Sequence, residues 1–192
     1  MNPIKRNLSE MTLEELWALF PICLTPHQPC WMQWYAEELH RLEAILPTAE
    51  MVRISHIGST AVKTIWAKPI VDILVETVYQ SDWGIIQSSL LKSGYLCMSD
   101  EKQRISFNKG YTPEGFEERV YHLHLRRAGD HDELYFRDYL MDHPQSAKAY
   151  EALKLDLWKR FEHNRDAYTQ SKTQFIQEHT AKAKELYKNR YN

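Results

Sequence analysis

Two short stretches of this chain carry the residue types that binding a phosphate group requires. His56-Ile57-Gly58-Ser59-Thr60 is a small polar turn, and Lys68-Pro69-Ile70-Val71-Asp72-Ile73-Leu74-Val75 is an apolar run holding a single acid. Backbone N–H groups around Gly58 and Ser59 can receive a phosphate, the more so if Ser59 or Thr60 opens a helix whose positive dipole end faces the anion. An ionised Asp72 beside that turn would hold a divalent cation against the phosphate, because hard cations prefer carboxylate oxygens. The same residues have a plainer reading, in which the turn is only a helix cap and Asp72 only a hydrogen-bonded strand acid. Both readings stand on these residues alone, since short motifs recur by chance.

A second cluster lies in Val120 to Arg126, where Tyr121, Leu123 and Leu125 alternate with His122, His124 and Arg126. In a strand this pattern puts the apolar side chains on one face and the cationic or ligating ones on the other. The two imidazoles would then share an ion or a substrate group. With His56 or Asp72 supplied by a neighbouring strand, the set would suit zinc, manganese or iron. Solvent-facing or hydrogen-bonded structural histidines are the plainer alternative. Lys68, Arg104, Arg126 and Arg137 read as surface charges. Convergence of several on the His56 to Asp72 side would change that, since Arg gives bidentate phosphate contacts and Lys a point charge. The patterns G-x-x-x-x-G-K-[ST], G-x-G-x-x-G and G-x-S-x-G are absent, which sets aside P-loop, Rossmann and α/β-hydrolase sites.

These residues must be positioned by the elements around them. Thr12-Leu13-Glu14-Glu15 has capping-box spacing, and Leu13, Leu16, Trp17 and Phe20 fall on one helical stripe that Pro21 ends. A second helix follows the connector from Pro26 to Pro29, with Trp31, Trp34, Tyr35, Leu39, Leu42 and Leu46 on one face and Pro47 as its stop. Val52 to Ile54 is a short strand leading into His56. Ile70 to Val75 is a stronger strand, expected in the centre of a sheet because apolar and β-branched residues run on without helical spacing. Ser81 to Ser93 reads as a helix with Trp83, Ile86, Leu90 and Leu91 turned inward and Gly94 closing it. Tyr95 to Met98 and Ile105 to Lys109 are two further strands, bounded by Gly110 and the turn at Thr112-Pro113-Glu114-Gly115. From Glu133 onward the pattern is helical: Leu134 to Met141, Ser146 to about Phe161, and Thr169 to about Tyr187. The closing Lys182 to Asn192 segment, rich in charge, reads as frayed.

Composition narrows the class. A chain of 192 residues suits one domain with a real core. With 24 basic and 26 acidic residues the net charge is −2, so no nucleic acid or anionic membrane is expected as a partner, and any phosphate site must be local. Cys23, Cys30 and Cys97 form no CxxC pair and leave an odd count, which argues against a disulfide framework or a structural zinc site. No apolar leader region occurs in Met1 to Asn7, and nowhere do 18 uncharged apolar residues run together. The expected location is a reducing cytoplasm.

The same stretches, taken in order, resemble the GrpB family, a set of small bacterial proteins. The likeness runs through His56-Ile57-Gly58-Ser59-Thr60-Ala61-Val62, then Ala67-Lys68-Pro69-Ile70-Val71-Asp72-Ile73-Leu74-Val75, His122-Leu123-His124-Leu125 and Phe136-Arg137-Asp138-Tyr139-Leu140. It continues in Tyr150 with Leu153-Lys154 and in Tyr168 with Lys172, so that it covers residues 31 to 183 and leaves 1 to 30 as an N-terminal helical extension of a single domain. The resemblance implies an α+β fold: a nucleotidyltransferase-like mixed sheet flanked by helices, with a helical C-terminal third. It also implies a site for a nucleotide or other phosphorylated small molecule, with magnesium or another divalent cation and a nucleoside triphosphate as substrate, from which a nucleotidyl group would pass to a small acceptor. Gly58, Ser59, Thr60, Lys68 and Arg137 would hold the phosphates, Asp72 with His124 the cation, and Asp72, His122 and His124 would carry the chemistry. The superfamily places a second carboxylate two residues after the first, where this chain has Leu74; Glu76 follows, but about 6–7 Å further along the strand. Lys63-Thr64 also replace the Pro-Gly common in the family. Two other roles follow: a non-catalytic binding or regulatory module, for which Leu74 is the motive, or a metal-dependent hydrolase built on His56, Asp72, His122 and His124.

Overall fold

The computed structural model describes residues 7–191; the opening stretch to residue 6, read above as lacking an apolar leader, lies outside them. Five strands form one sheet: β1 (Met51–Ile57), β2 (Val71–Thr77), β3 (Leu96–Glu101), β4 (Arg104–Thr112) and β5 (Gly115–Arg127). Their order across the sheet is β1-β2-β5-β4-β3, with β2 and β5 parallel and the other pairs antiparallel. The helices are α1 (Leu13–Leu19), α2 (Cys30–Ile45), α3 (Trp83–Lys92), α4 (Asp132–Asp142), α5 (Pro144–Phe161), α6 (Arg165–Gln170) and α7 (Thr173–Leu186). This is the α+β architecture expected, a mixed sheet flanked by helices with a helical C-terminal third.

Each strand expected from the sequence is present, most of them longer than their apolar cores. The middle of the sheet is β5 and not β2. The run Ile70 to Val75 is apolar because β2 lies inside the sheet with both faces covered, a condition that the second strand from an edge also meets. The last helical stretch divides at Ser171 into α6 and α7, and α6 begins at Arg165, with the Asn164 side chain accepting from the Ala167 N–H at 3.0 Å to cap it.

Alternation splits the sheet into two unlike faces. On one, Val71, Ile73 and Val75 of β2 and Tyr121, Leu123 and Leu125 of β5 pack under Trp31 and Leu42 of α2 and Trp83, Ile86 and Leu90 of α3. Leu91 is half exposed and does not join that stripe. The residue that sequence reading passed over here is Glu38, 1% exposed on the apolar side of α2. It accepts from Lys109 Nζ at 2.7 Å, the Tyr95 hydroxyl at 3.0 Å and Arg41 at 2.9 Å, tying α2 to β4 and to the chain entering β3.

The other face carries Asp72, Leu74 and Glu76 of β2 beside His122, His124 and Arg126 of β5 and is roofed by α4 to α7. Phe136, Leu140, Ala147 and Tyr150 pack there with Val62 and Ile65, and Leu134 packs with Ile57 and Leu74. The end of the chain is not frayed through residue 191. Tyr191 stacks edge-on against Tyr135, receives a 3.0 Å hydrogen bond from Arg137 on its hydroxyl, and its carbonyl accepts from Arg53 at 3.2 Å. No helix among the described residues is long and apolar enough to cross a membrane.

Replacing Glu38 by Ala leaves the Tyr95 hydroxyl and Lys109 without their partner, and removing one member of a buried ion pair costs roughly 3 kcal/mol or more. Urea denaturation of Glu38→Ala should show a loss of that order with an unchanged m-value.

Candidate functional site

The parallel register sets Asp72 opposite His122, and Leu74 opposite His124. Because β4 flanks β5 on the other side, the three polar side chains form a floor at one end of the sheet. His122 Nδ1 lies 3.3 Å, and His124 Nε2 3.7 Å, from Asp72 Oδ1. Burial pushes the Asp72 carboxyl upward, but the N–H groups of His122 and His124 outweigh it and hold the group well below the usual carboxylate range. His122 is itself held below the ordinary histidine value by burial, only partly opposed by Asp72.

Proton bookkeeping fixes both rings. An ionised Asp72 only accepts, so a neutral His122 carries its proton on Nδ1 and leaves Nε2 bare. The Tyr111 hydroxyl, 2.7 Å from Nε2, then donates to it, while Arg165 donates to the Tyr111 oxygen at 3.0 Å. His124 Nδ1 faces a guanidinium nitrogen of Arg126 at 3.4 Å, which can only donate, so the His124 proton sits on Nε2, toward Asp72. Both imidazoles therefore present N–H to the carboxylate.

The turn before β2 leans on the same acid. Gly58 has φ +68° and ψ −170°, a conformation almost confined to glycine, and a Cβ built there would lie 2.2 Å from Asp72 Oδ2. Only a residue without a side chain lets the turn approach the acid this closely. Ser59 opens a single 3-10 turn, Ser59–Ala61, and no α-helix, so the helix dipole looked for at this point is not present. The Thr60 hydroxyl is buried and paired to His56 Nε2 at 2.9 Å. His56 stands opposite Ile73, stacks on Tyr35 at 4.8 Å between ring centres, and points away from the Asp72 face. It cannot join a cluster with Asp72, His122 and His124. Burial lowers its pKa to about 4.

Positive charge comes instead from lysines. A cavity of about 660 Å³ lies between the floor and the helices, and its wall includes Lys68, Lys154, Lys172, Arg165 and Arg137 together with Ser59, Thr60, Asp72, His122 and His124. Its size falls in the range of small-molecule sites. Lys154, 2% exposed, donates to Ser59 Oγ at 3.0 Å and to the Trp66 carbonyl. Lys68 and Lys172 have no hydrogen-bond or ion-pair partner for their ammonium groups among the described residues; they flank the Tyr168 ring at 5.6 and 4.3 Å. Burial, helped by the neighbouring cations, lowers Lys68 and Lys154 to about 7 and Lys172 to about 8.

The expected surface charges thus divide. Lys68 turns inward and Arg126 is buried, bound to the Ile105 and Leu125 carbonyls at 3.3 and 2.9 Å. Arg104 reaches the cavity wall but is held by Asp130 in a two-point contact at 2.7 and 2.8 Å. Arg137 is also on the wall, yet its guanidinium is committed to Asp138 at 2.7 and 2.9 Å, the His56 carbonyl at 2.8 Å and the Tyr191 hydroxyl. It braces β1 to α4, with its charge already met. Glu76, the nearest replacement for a second acid, is fully buried, ion-paired to Arg53 and hydrogen-bonded to His131, both at 2.8 Å. Among the described residues no group of three or more His, Cys, Asp or Glu side chains is arranged to hold a metal ion.

Lys154, Lys172, Arg165, Tyr111, Tyr150 and Tyr168 were given no role by sequence reading. One signal for four of them was present: Tyr150 with Lys154, and Tyr168 with Lys172, repeat a spacing of four, which in α5 sets ring and ammonium on one side of the helix and at the α6 to α7 joint still leaves Lys172 over the Tyr168 ring.

A mixed sheet flanked by helices, with a lysine-lined cavity over one acid and two histidines, defines an α+β architecture. The model for "GrpB protein" matches residues 21–182, and the chain belongs to the GrpB family. That match opens within the stretch read as an N-terminal extension, where Ile22 N–H donates to the Glu162 carbonyl and Thr25 bridges to Ala67. A UPF0157 protein of Pseudomonas aeruginosa is 34% identical over 79% of this chain and 63% of its own length. Glutamate-rich protein GrpB of Alkalihalophilus pseudofirmus is 32% identical over 82% of this chain and 92% of its own length. The chain thus spans under two thirds of the Pseudomonas relative, and 47% of the UPF0157 protein YqkA of Bacillus subtilis, at 30% identity. The crystal structure of conserved protein GrpB from Enterococcus faecalis superposes with a TM-score of 0.74 at 29% identity, over 86% of this chain and 99% of that one.

Two expectations follow from the geometry. Gly58→Ala combines a glycine-only backbone with a collision at Asp72 and should lose on the order of 2 kcal/mol in chemical denaturation. Each depressed lysine binds fewer protons folded than unfolded between its folded pKa, about 7 or 8, and its ordinary 10.5. Ligand-free stability should therefore rise with pH across that window. His56 acts in a separate window, between about 4 and 6.5. Urea midpoints at pH 7 and pH 9 would check this, and the rise should shrink in Lys68→Met/Lys172→Met.

Proposed function

We propose that this protein binds a phosphorylated small molecule of nucleotide size in the cavity, with no membrane or nucleic acid partner, and acts in the cytoplasm. Lys68, Lys172 and Lys154 meet the phosphates, the Gly58 to Thr60 turn closes around them, and the rest of the molecule lies along α7 toward Ile176 and Thr180. The observation that carries this reading is the pair Lys68 and Lys172: two partly buried lysines on the cavity wall, with no acid within ion-pair distance of either ammonium among the described residues. An unpaired desolvated charge is expensive, and an anion arriving in the cavity removes that expense.

Between transfer chemistry and binding alone, the acids favour binding. Two-ion nucleotidyl transfer uses paired carboxylates to hold the metals that orient the attacking oxygen and neutralise the leaving pyrophosphate. Leu74 is buried against Ile57 and Leu134, and Glu76 is engaged by Arg53 and His131. Asp72, held strongly ionised, is also a poor general base near neutral pH.

A thermal-shift panel of the four ribonucleoside triphosphates and inorganic pyrophosphate tests the reading. Ligand at ~100 times its dissociation constant should stabilise the fold by roughly 2.7 kcal/mol. The shift should be largest below pH 7, decline as pH passes 8, and vanish in Lys68→Met/Lys172→Met. Absence of a shift with every compound would sink the proposal, and steady turnover of a triphosphate would move it from binding to transfer.

A further inference from the structure

Resting on the phosphate-binding reading above, we infer that this site binds its anion without a metal ion, Lys68, Lys154 and Lys172 taking the place that a divalent cation would fill. The donor set around Asp72 carries the inference. A cation at this acid needs oxygen or nitrogen lone pairs turned toward it. Both imidazoles offer N–H instead. Their lone pairs face the other way, His122 Nε2 to the Tyr111 hydroxyl and His124 Nδ1 to Arg126. Turning either ring's proton around would set N–H against a donor and turn a bare lone pair toward the carboxylate.

Both carboxylate oxygens already have close neighbours. Oδ1 is approached by two N–H groups, and Oδ2 lies so close under Gly58 that a methyl group could not fit between them. Two residues on, Leu74 is fully buried in an apolar cluster, and Glu76 is engaged by the Arg53 guanidinium and the His131 ring. Asp132 and Glu133 also reach the cavity wall, but among the described residues no three His, Cys, Asp or Glu side chains are arranged to hold a cation, while three lysines line the same cavity. An ammonium supplies one positive charge and up to three donors at a fixed place, which suits a phosphate oxygen directly.

Asp72 then has a different purpose from that of a metal ligand. Its negative charge, pinned by the histidines, offsets part of the lysine cluster in the absence of ligand, and it opposes an anion when one binds. This reverses the sign of the expected mutational effect. If a cation bridged Asp72 and phosphate, Asp72→Asn would weaken binding; if the lysines bind phosphate directly, the same nearly isosteric change tightens it.

Isothermal titration of pyrophosphate and of ATP, each in excess EDTA and in magnesium, tests the inference on wild type, Asp72→Asn and Lys172→Met. We expect both anions to bind in EDTA at least as tightly as in magnesium, Asp72→Asn to bind several-fold tighter, and Lys172→Met to bind roughly tenfold weaker in either buffer. Binding of ATP but not pyrophosphate in EDTA would still support it, and would place part of the recognition on the nucleoside. Binding that requires magnesium and is lost in Asp72→Asn would overturn the inference while leaving the phosphate site intact. Failure of both anions to bind in both buffers would overturn the phosphate site, and the inference with it. Thermal melting of each variant separates a lost site from a lost fold.

Discussion

The parallel pairing of β2 with β5 is the constraint on which the remainder depends. It sets Asp72 opposite His122 and brings Leu74 beside His124, so that one sheet face holds the acid and both imidazoles while the other holds Ile73, Leu123 and their neighbours. Strand side chains alternate, so a slip of one residue in either strand would send half of that set into the apolar layer under α2 and α3. The crossover between the two strands must be long because they are parallel, and it is used to build α3, β3 and β4. β4 in turn carries Tyr111, whose hydroxyl fixes the outer nitrogen of His122. Site and topology are thus one problem: the hairpin that completes the sheet also orients the histidine.

Electrostatics on the site face work against the fold when the cavity holds no anion. Three lysines with depressed pKa values surround one strongly ionised acid, and the native state gains by shedding protons. Elsewhere the chain meets buried charge with close partners, as Glu38 does with Lys109 and Arg41, and Glu76 with Arg53 and His131. The contrast is informative because both kinds of burial occur in one domain. At Glu38 and Glu76 an opposite charge stands within about 3 Å of the buried carboxylate. On the cavity wall the Lys68 and Lys172 ammonium groups stand over the Tyr168 ring instead.

Local pattern made much of the fold legible. Alternation in Val120 to Arg126 separated the histidines from the apolar face, the apolar run ending at Val75 marked an interior strand, and Gly58 stood where only glycine fits. What escaped reading depends on pairs far apart in the chain. Nothing near Arg137 shows that the His56 carbonyl and Tyr191 will take its donors, and nothing near Glu76 shows that Arg53 and His131 will claim it. The order of the sheet is equally non-local, which is why an apolar β2 suggested a centre that β5 occupies. Lys154 and Lys172 lie on helices that read as ordinary amphipathic cover, and their convergence with Lys68 appears only when α5 and the α6 to α7 joint close over the sheet.

Leu74 connects these observations to the chemistry. Its side chain is on the same strand face as Asp72, yet it points into the cluster made with Ile57 and Leu134. A carboxylate at that position would be buried among apolar groups and would ionise only with a cation beside it. Leucine there lets α4 pack directly on β1 and β2 and sets up no electrostatic demand for such a cation. His122 and His124 can then turn their N–H groups toward Asp72, and the positive charge facing the proposed anion comes from Lys68, Lys154 and Lys172. The lysines of the cavity wall are therefore the counterpart of the leucine in the strand: with Leu74 closing the core where a second acid would stand beside Asp72, an ammonium-lined wall is the chemically consistent way to hold the anion proposed above.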